Sequence, residues 1–202
     1  MISVLVRVTS GHYRMPGQVE QGGTQTSAPI APPSCIRGFL ESLVGERSGS
    51  FRGSFAYGYA EPPRGHGFLL RRAHVLRSYS KVKGEPTGSG IEGIRTVSVE
   101  TYLDLSYRIL VRGDWETRVL AALAGDVERF GVLSLGESQD LVVWIEKVPI
   151  ETPARWVIPG TMMTLITASG RGFDRISAKY GTFDFGPEPA WFNNPVTLKE
   201  NA

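Results

Sequence analysis

The chain has 202 residues, 41% of them apolar and 21% charged, with a formal net charge of +2. That is long enough to bury a sizeable core and ordinary for a soluble protein. Cys35 is the single cysteine, so there is no disulfide framework; His12, His66 and His74 lack ligand spacing, and no run approaches the roughly 18 apolar residues of a membrane helix.

A reducing, cytoplasmic location with no cofactor, no metal and no membrane partner is therefore expected. The opening ISVLVRV is too short for a signal peptide's apolar region and carries Arg7. The 24 glycines and 13 prolines favour turns and strands over long helices. Residues 1–95 hold 12 Lys/Arg against 6 Asp/Glu, and residues 96–202 hold 10 against 14. The basic half suits an anionic partner; the acidic half suits a protein neighbour or solubility alone.

Residues 2–8 are rich in β-branched residues and predict a first strand. Residues 10–33 form a long Gly/Pro/Gln/Thr loop, a length that usually marks function. A helix is predicted over Ser34–Val44, with Ser34 as its N-cap and Gly45 as its stop. Ile36, Phe39, Leu40, Leu43 and Val44 fall on one face. Arg37 and Gly38 interrupt its first turn. Gly38 costs roughly 1 kcal/mol relative to Ala and calls for close approach of a backbone or ligand. The helix start, with free amides beside an arginine, is a candidate phosphate site.

Phe55, Tyr57 and Tyr59 then line one side of an extended segment. Residues 67–83 read as a long basic strand carrying Arg71, Arg72, His74, Arg77, Lys81 and Lys83. Residues 84–93 form a flexible tip, and residues 94–112 return as a strand. Asp114 is expected to cap a second helix with Trp115, Val119, Ala122 and Leu123 inward, ended by Gly125. Strands are expected at 140–150, 155–167 and 172–185, with a loose tail from Pro187. The order β–α–β–β–α–β, with a long basic hairpin between the helices, is the ferredoxin-like, split βαβ pattern. The expected class is α+β, with that domain over residues 1–150, its hairpin at about 60–100, and a β-rich extension over 151–202.

GSGIEG at 88–93 matches a dinucleotide fingerprint only formally, because a strand pattern rather than a helix follows it. No Walker loop and no G-x-S-x-G elbow are present. An acid–base nuclease set remains open: His12–Tyr13–Arg14, or His74 and Tyr79 with Lys81. The basic hairpin also reads two ways. It is a solvated edge guarded against aggregation, or it tracks a phosphate backbone with Tyr57, Tyr59 and Tyr79 as stacking surfaces for unpaired bases.

Two stretches carry a family likeness. PIAPPSCIRGFLESLVGE, following the first strand and long loop, resembles the opening of the CRISPR-associated protein 5 family. VLSLGESQDLVVWIEKV, at 132–148, resembles that family's L-G-x-S-x-D segment, although Glu137 stands where Arg is common. The resemblance spans most of residues 1–150. It implies a non-catalytic subunit of a type I CRISPR surveillance complex that caps the 5′ handle of the CRISPR RNA and contacts the backbone and large subunits. Target DNA would be reached only through the complex. By position, Arg14, Ser27, Ser34 and Arg37 would hold the handle. Arg71, Arg72, His74, Arg77, Lys81, Lys83 and Arg95 would lie on or near the thumb hairpin. The alternative is a metal-independent endoribonuclease that processes precursor RNA.

Overall fold

In the computed structural model the described residues are 1–13, 24–46, 51–75, 81–82, 85–86, 93–129, 131–136, 139–151, 154–171 and 176–193. The elements in chain order are β1 (Ile2–Gly11), β2 (Thr24–Gln25), α1 (Pro33–Val44), β3 (Gly53–Glu61), β4 (Gly65–Val75), β5 (Lys81–Val82) and β6 (Glu85–Pro86). They continue with β7 (Gly93–Gly113), α2 (Asp114–Ala124), β8 (Val142–Val148), β9 (Arg155–Arg171), β10 (Ile176–Gly186) and β11 (Phe192–Asn193).

The central sheet runs β10-β9-β3-β7-β1-β8. Its β3-β7-β1-β8 core is antiparallel throughout; α1 crosses from β1 past β7 to β3, and α2 crosses from β7 past β1 to β8. That is the split βαβ arrangement expected from the element order.

Period-2 patterning selects the buried face. Ile2, Val4, Val6 and Val8 of β1 sit opposite Val111, Ile109, Tyr107 and Leu105 of β7. Phe55, Tyr57 and Tyr59 of β3 flank the same β7 residues from the other side. Residues directly opposite share a face, and all of these are buried. Ile36, Phe39, Leu40 and Leu43 of α1 and Trp115, Val119 and Ala122 of α2 close over them. Each such side chain, fully buried, contributes on the order of 1.5–3 kcal/mol.

Both helix starts differ from expectation. The N-cap of α1 is Pro32, without a side-chain cap, and Pro33 opens the helix; Ser34 lies inside the first turn. The ring of Pro33 already fixes a helical φ, so a hydroxyl cap is not needed to start the turn. The cap of α2 is Gly113, at φ 73°, and Asp114 is its first helical residue. Gly45 and Gly125 end the two helices in the left-handed region, as expected.

The 21-residue β7 serves two structures. Ser106–Gly113 pairs with β3, and Gly93–Leu103 pairs with β4. Between these stretches Asp104 sits at φ 51°, a conformation Asp tolerates better than most residues. Residues 93–101 lie beyond β1's last partner, Tyr102. At strand rise this carries the β4–β7 hairpin about 30 Å past the core. The tip sequence GSGIEG falls outside the described residues except for Gly93, the first residue of β7.

The extension adds to the same sheet. β9 joins β3 through Gly58↔Trp156 and Tyr59↔Arg155. The β9–β10 hairpin then curls back so that Met163, Leu165 and Phe183 enter the main core. Part of the expected loose tail is docked: β11 pairs with Phe55 and Ser54, and Phe192 stacks on Phe55 at 5.6 Å.

Candidate nucleic-acid interface

Four buried tyrosines latch the approach to α1. Tyr57 donates to the Ala31 carbonyl at 2.7 Å, Tyr59 donates to that of Pro29, and the Tyr107 hydroxyl accepts from the Ala31 amide at 3.3 Å. Tyr107 in turn donates to Tyr13 at 2.9 Å. Burial pushes all four hydroxyls well above their ordinary pKa. The expectation that Tyr57 and Tyr59 offer stacking surfaces for bases is therefore corrected, because the two rings are 0% and 7% exposed. On a strand, an inward aromatic and an aromatic platform read alike in sequence; here the approach to α1 and neighbouring rings, Phe192 on Tyr57 and Phe185 on Tyr59, take up the two side chains.

Ser27 and His12 belong to the same latch. The Ser27 hydroxyl accepts from the Tyr13 amide at 2.8 Å and donates to the Ala28 carbonyl at 3.0 Å, and its own amide donates to Glu100 at 2.7 Å. His12 is 3% exposed, with Nδ1 2.9 Å from the Glu100 carbonyl. The 132–148 segment supplies the anchor. Asp140 is fully buried, accepting from the Ser10 hydroxyl at 2.8 Å and the His12 amide at 3.3 Å.

Arg37 lies on α1, 4.0 Å from Glu41, and lines a crevice of about 190 Å³ with Pro33, Phe55, Thr167, Lys179 and Phe192. The expected row of free amides is reduced. Pro33 has no N–H, and Cys35 and Ile36 both donate to the Pro32 carbonyl, at 2.9 and 3.2 Å. The positive character of this end rests on the helix dipole and on two side-chain cations, not on open amides. Ser34 is half-buried beside it, and the thiol of Cys35, behind it, is pushed up to about 11, chiefly by burial. A Cβ added at Gly38 meets nothing within 4 Å. No part of the chain described here makes the close approach for which this glycine leaves room.

The hairpin carries the basic positions. Arg71 is paired with Val97, Arg72 with Thr96, His74 with Ile94, and Arg95 with Ala73. Lys81 lies on β5 opposite Pro86. Arg14, Arg77, Tyr79 and Lys83 lie outside the described residues. At the hairpin base, Phe68 and Leu69 are exposed, and His66 stacks on Tyr102 at 4.6 Å while its Nε2 sits 2.7 Å from Glu100. Beside this pair opens a cleft of about 440 Å³, lined by Pro29, Tyr59, Pro62, Tyr102, Arg155 and Phe185.

Lys179, Arg155 and Tyr102 were not among the expected site residues. Lys179 lines the same crevice as Arg37 only because the extension folds back onto α1, and no local pattern encodes that return. Tyr102 alternates within the β7 pattern and is half-buried, which was the one available signal.

The architecture is that of a ferredoxin-like domain with a long hairpin between its second and third core strands and a β-rich extension. No family model matches the chain, and no curated protein matches it. A chain of a CRISPR RNA-guided surveillance complex is similar in structure, with a TM-score of 0.58 at 13% identity, covering 96% of this chain and 92% of that one. Weaker likenesses are to a functionally uncharacterised protein of Streptococcus mutans (TM-score 0.49, 8% identity, 89% and 84% covered) and to a Cas protein (0.43, 11%, 92% and 95%). At these identities the likeness is one of fold.

Proposed function

We propose that this chain is a non-catalytic, RNA-binding subunit of a CRISPR interference complex. It caps the 5′ handle of the CRISPR RNA and reaches target DNA only through the complex. It contacts the backbone and large subunits, and its place is the cytoplasm. The observation that supports this best is the likeness, over 96% of the chain, to a chain of a CRISPR RNA-guided surveillance complex. The paired cations Arg37 and Lys179 at the α1 start and the basic positions along the hairpin agree with it. The extra positive charge of residues 1–95 points the same way.

Arg37→Glu is expected to weaken binding of 5′-handle RNA about tenfold or more, since a charge-assisted contact contributes roughly 1.5–3 kcal/mol. The melting temperature should hold. A filter-binding titration over several salt concentrations reads this, and an unchanged affinity and salt slope would sink the assignment.

The endoribonuclease reading loses half of its support. His12 is buried against a carbonyl, and Tyr13 holds its proton inside the core. Incubation with repeat RNA in EDTA, comparing the chain with His74→Ala, tests what remains. Specific cleavage lost in that variant would restore the enzyme.

A further inference from the structure

The cleft at the hairpin base is lined by the foot of the hairpin and by the start of the extension. One wall is Tyr102, whose ring is backed by His66 at 4.6 Å and an interplanar angle of 23°. His66 is itself fixed by Glu100, and Glu100 by the Ser27 amide. The start of the extension lines the same cleft. The Arg155 guanidinium carbon sits over the Phe185 ring, 4.6 Å from its centroid, and Phe185 stacks on Tyr59, which stacks on Tyr107. Arg155 is exposed and, among the described residues, has no carboxylate partner. Two flat groups, each already held by a stack behind it, therefore line one opening of about 440 Å³.

We propose that this cleft is a binding pocket for a single unpaired nucleobase, held between the Tyr102 ring and the Arg155 guanidinium, with a neighbouring phosphate neutralised by Arg155. The proposal rests on the RNA-binding reading above and adds a base-holding site that the extension completes. The physical grounds are three. Guanidinium planes and aromatic rings are the surfaces on which unpaired bases stack. Each already rests against a neighbouring ring, so less side-chain entropy remains to be lost on binding. Charge is complementary as well, because the cleft opens at the foot of a hairpin carrying Arg71, Arg72 and Arg95. An apolar peptide segment would fill the Pro29 and Pro62 side equally well, but it would leave the Arg155 charge unmatched.

The test uses the full chain and 5′-handle RNA carrying 2-aminopurine at one position at a time. One position should be quenched far more than the rest. Removing that base, to leave an abasic site, should weaken binding roughly 5- to 100-fold, as stacking on protein side chains does. Tyr102→Ala and Arg155→Lys should each abolish the selective quench, and Arg155→Lys should do so while keeping most of the affinity, since it retains charge but not the plane. Far-UV dichroism and a melt check that both variants fold.

RNA that binds with no selectively quenched position, or a quench that survives in both variants, would overturn the pocket and leave the RNA-binding reading standing. RNA that does not bind at all would overturn both.

Discussion

The two helices pack side by side on one face of the sheet, yet their N-terminal turns are built differently. The start of α2 is closed by its own carboxylates. Glu116 accepts from the Gly113 amide at 3.0 Å, and Asp114 accepts from the Arg52 amide at 2.7 Å. Its positive dipole end meets negative charge within the chain. The start of α1 has no acidic residue in its first turn and no side-chain cap. It opens instead on a crevice that brings Arg37 and Lys179 together. One end meets carboxylates in its own first turn, and the other has none there, its Arg37 pairing instead with Glu41 one turn on. On the proposed RNA-binding reading, the difference separates a helix that serves the fold alone from one whose start also serves a ligand.

The crevice exists only because the extension docks, so the largest way to break the comparison is to detach it. β9 meets β3 at Gly58 and Tyr59, and a Cβ added at Gly58 would lie 2.6 Å from the Cα of Trp156 and collide with the Arg155 carbonyl. Gly58→Val is expected to cost about 3 kcal/mol or more. Melting should fall by roughly 6–12 °C for a chain of this size, and limited proteolysis should release the extension first. An unchanged melt and digestion pattern would mean that β9 is held by something other than this pairing.

Alkaline pH acts next, through the tyrosine latch that carries the chain into α1. The folded-state pKa values of Tyr13, Tyr57, Tyr59 and Tyr107 are raised. Their stabilisation is thus complete below the unfolded value of about 10 and is lost as pH rises above it, because only the unfolded chain then releases protons. Each buried tyrosine should remove about 1.4 kcal/mol per pH unit in that range. Urea titrations between neutral pH and pH 11 should show a midpoint that is flat at first and then falls steeply. Tyr13→Phe should reduce the slope, and a slope unaffected by it would remove Tyr13 from the latch.

These two sites also show what was legible in the amino-acid order. The apolar faces of α1, α2, β1 and β7 follow from spacing alone, since the register that pairs Val4 with Ile109 and Val6 with Tyr107 is fixed once one face must be buried. The basic hairpin was legible for the same reason. Its returning arm at 94–112 is β7 nearly to the residue, whereas of the outgoing arm expected over 67–83 β4 covers the part up to Val75, and Lys81–Val82 pair with Glu85–Pro86 in a separate small sheet. Ser34 was misread as a cap because a hydroxyl before an apolar run is the usual signal, and Pro33 had already supplied the helical φ. Lys179 was invisible because its neighbour Arg37 is set by a tertiary return, and Gly58 was visible as a glycine but not as the point where two strands touch. Local patterns encode which face is buried. They do not encode which distant segment comes back to finish a site.

The smallest change sharpens the comparison most. Ser34→Asp would give the first turn of α1 the kind of carboxylate that completes α2, and would place it one turn before Arg37. A negative side chain at a helix start stabilises by about 0.3–1 kcal/mol, so the melting temperature should rise by about 1–3 °C. The same charge would occupy the field that Arg37 and Lys179 offer to an anion, and handle-RNA affinity should fall several-fold, with a shallower salt dependence. If this turn served only the fold, stability would rise and RNA binding would not move. A rise in stability accompanied by a loss of affinity ties the missing carboxylate of α1 to a ligand, because the added charge would then favour the free helix and oppose the bound anion. Calorimetry and a filter-binding titration on the one variant read both signs, and a fall in stability would show that the α1 start is not the electropositive end its surroundings imply.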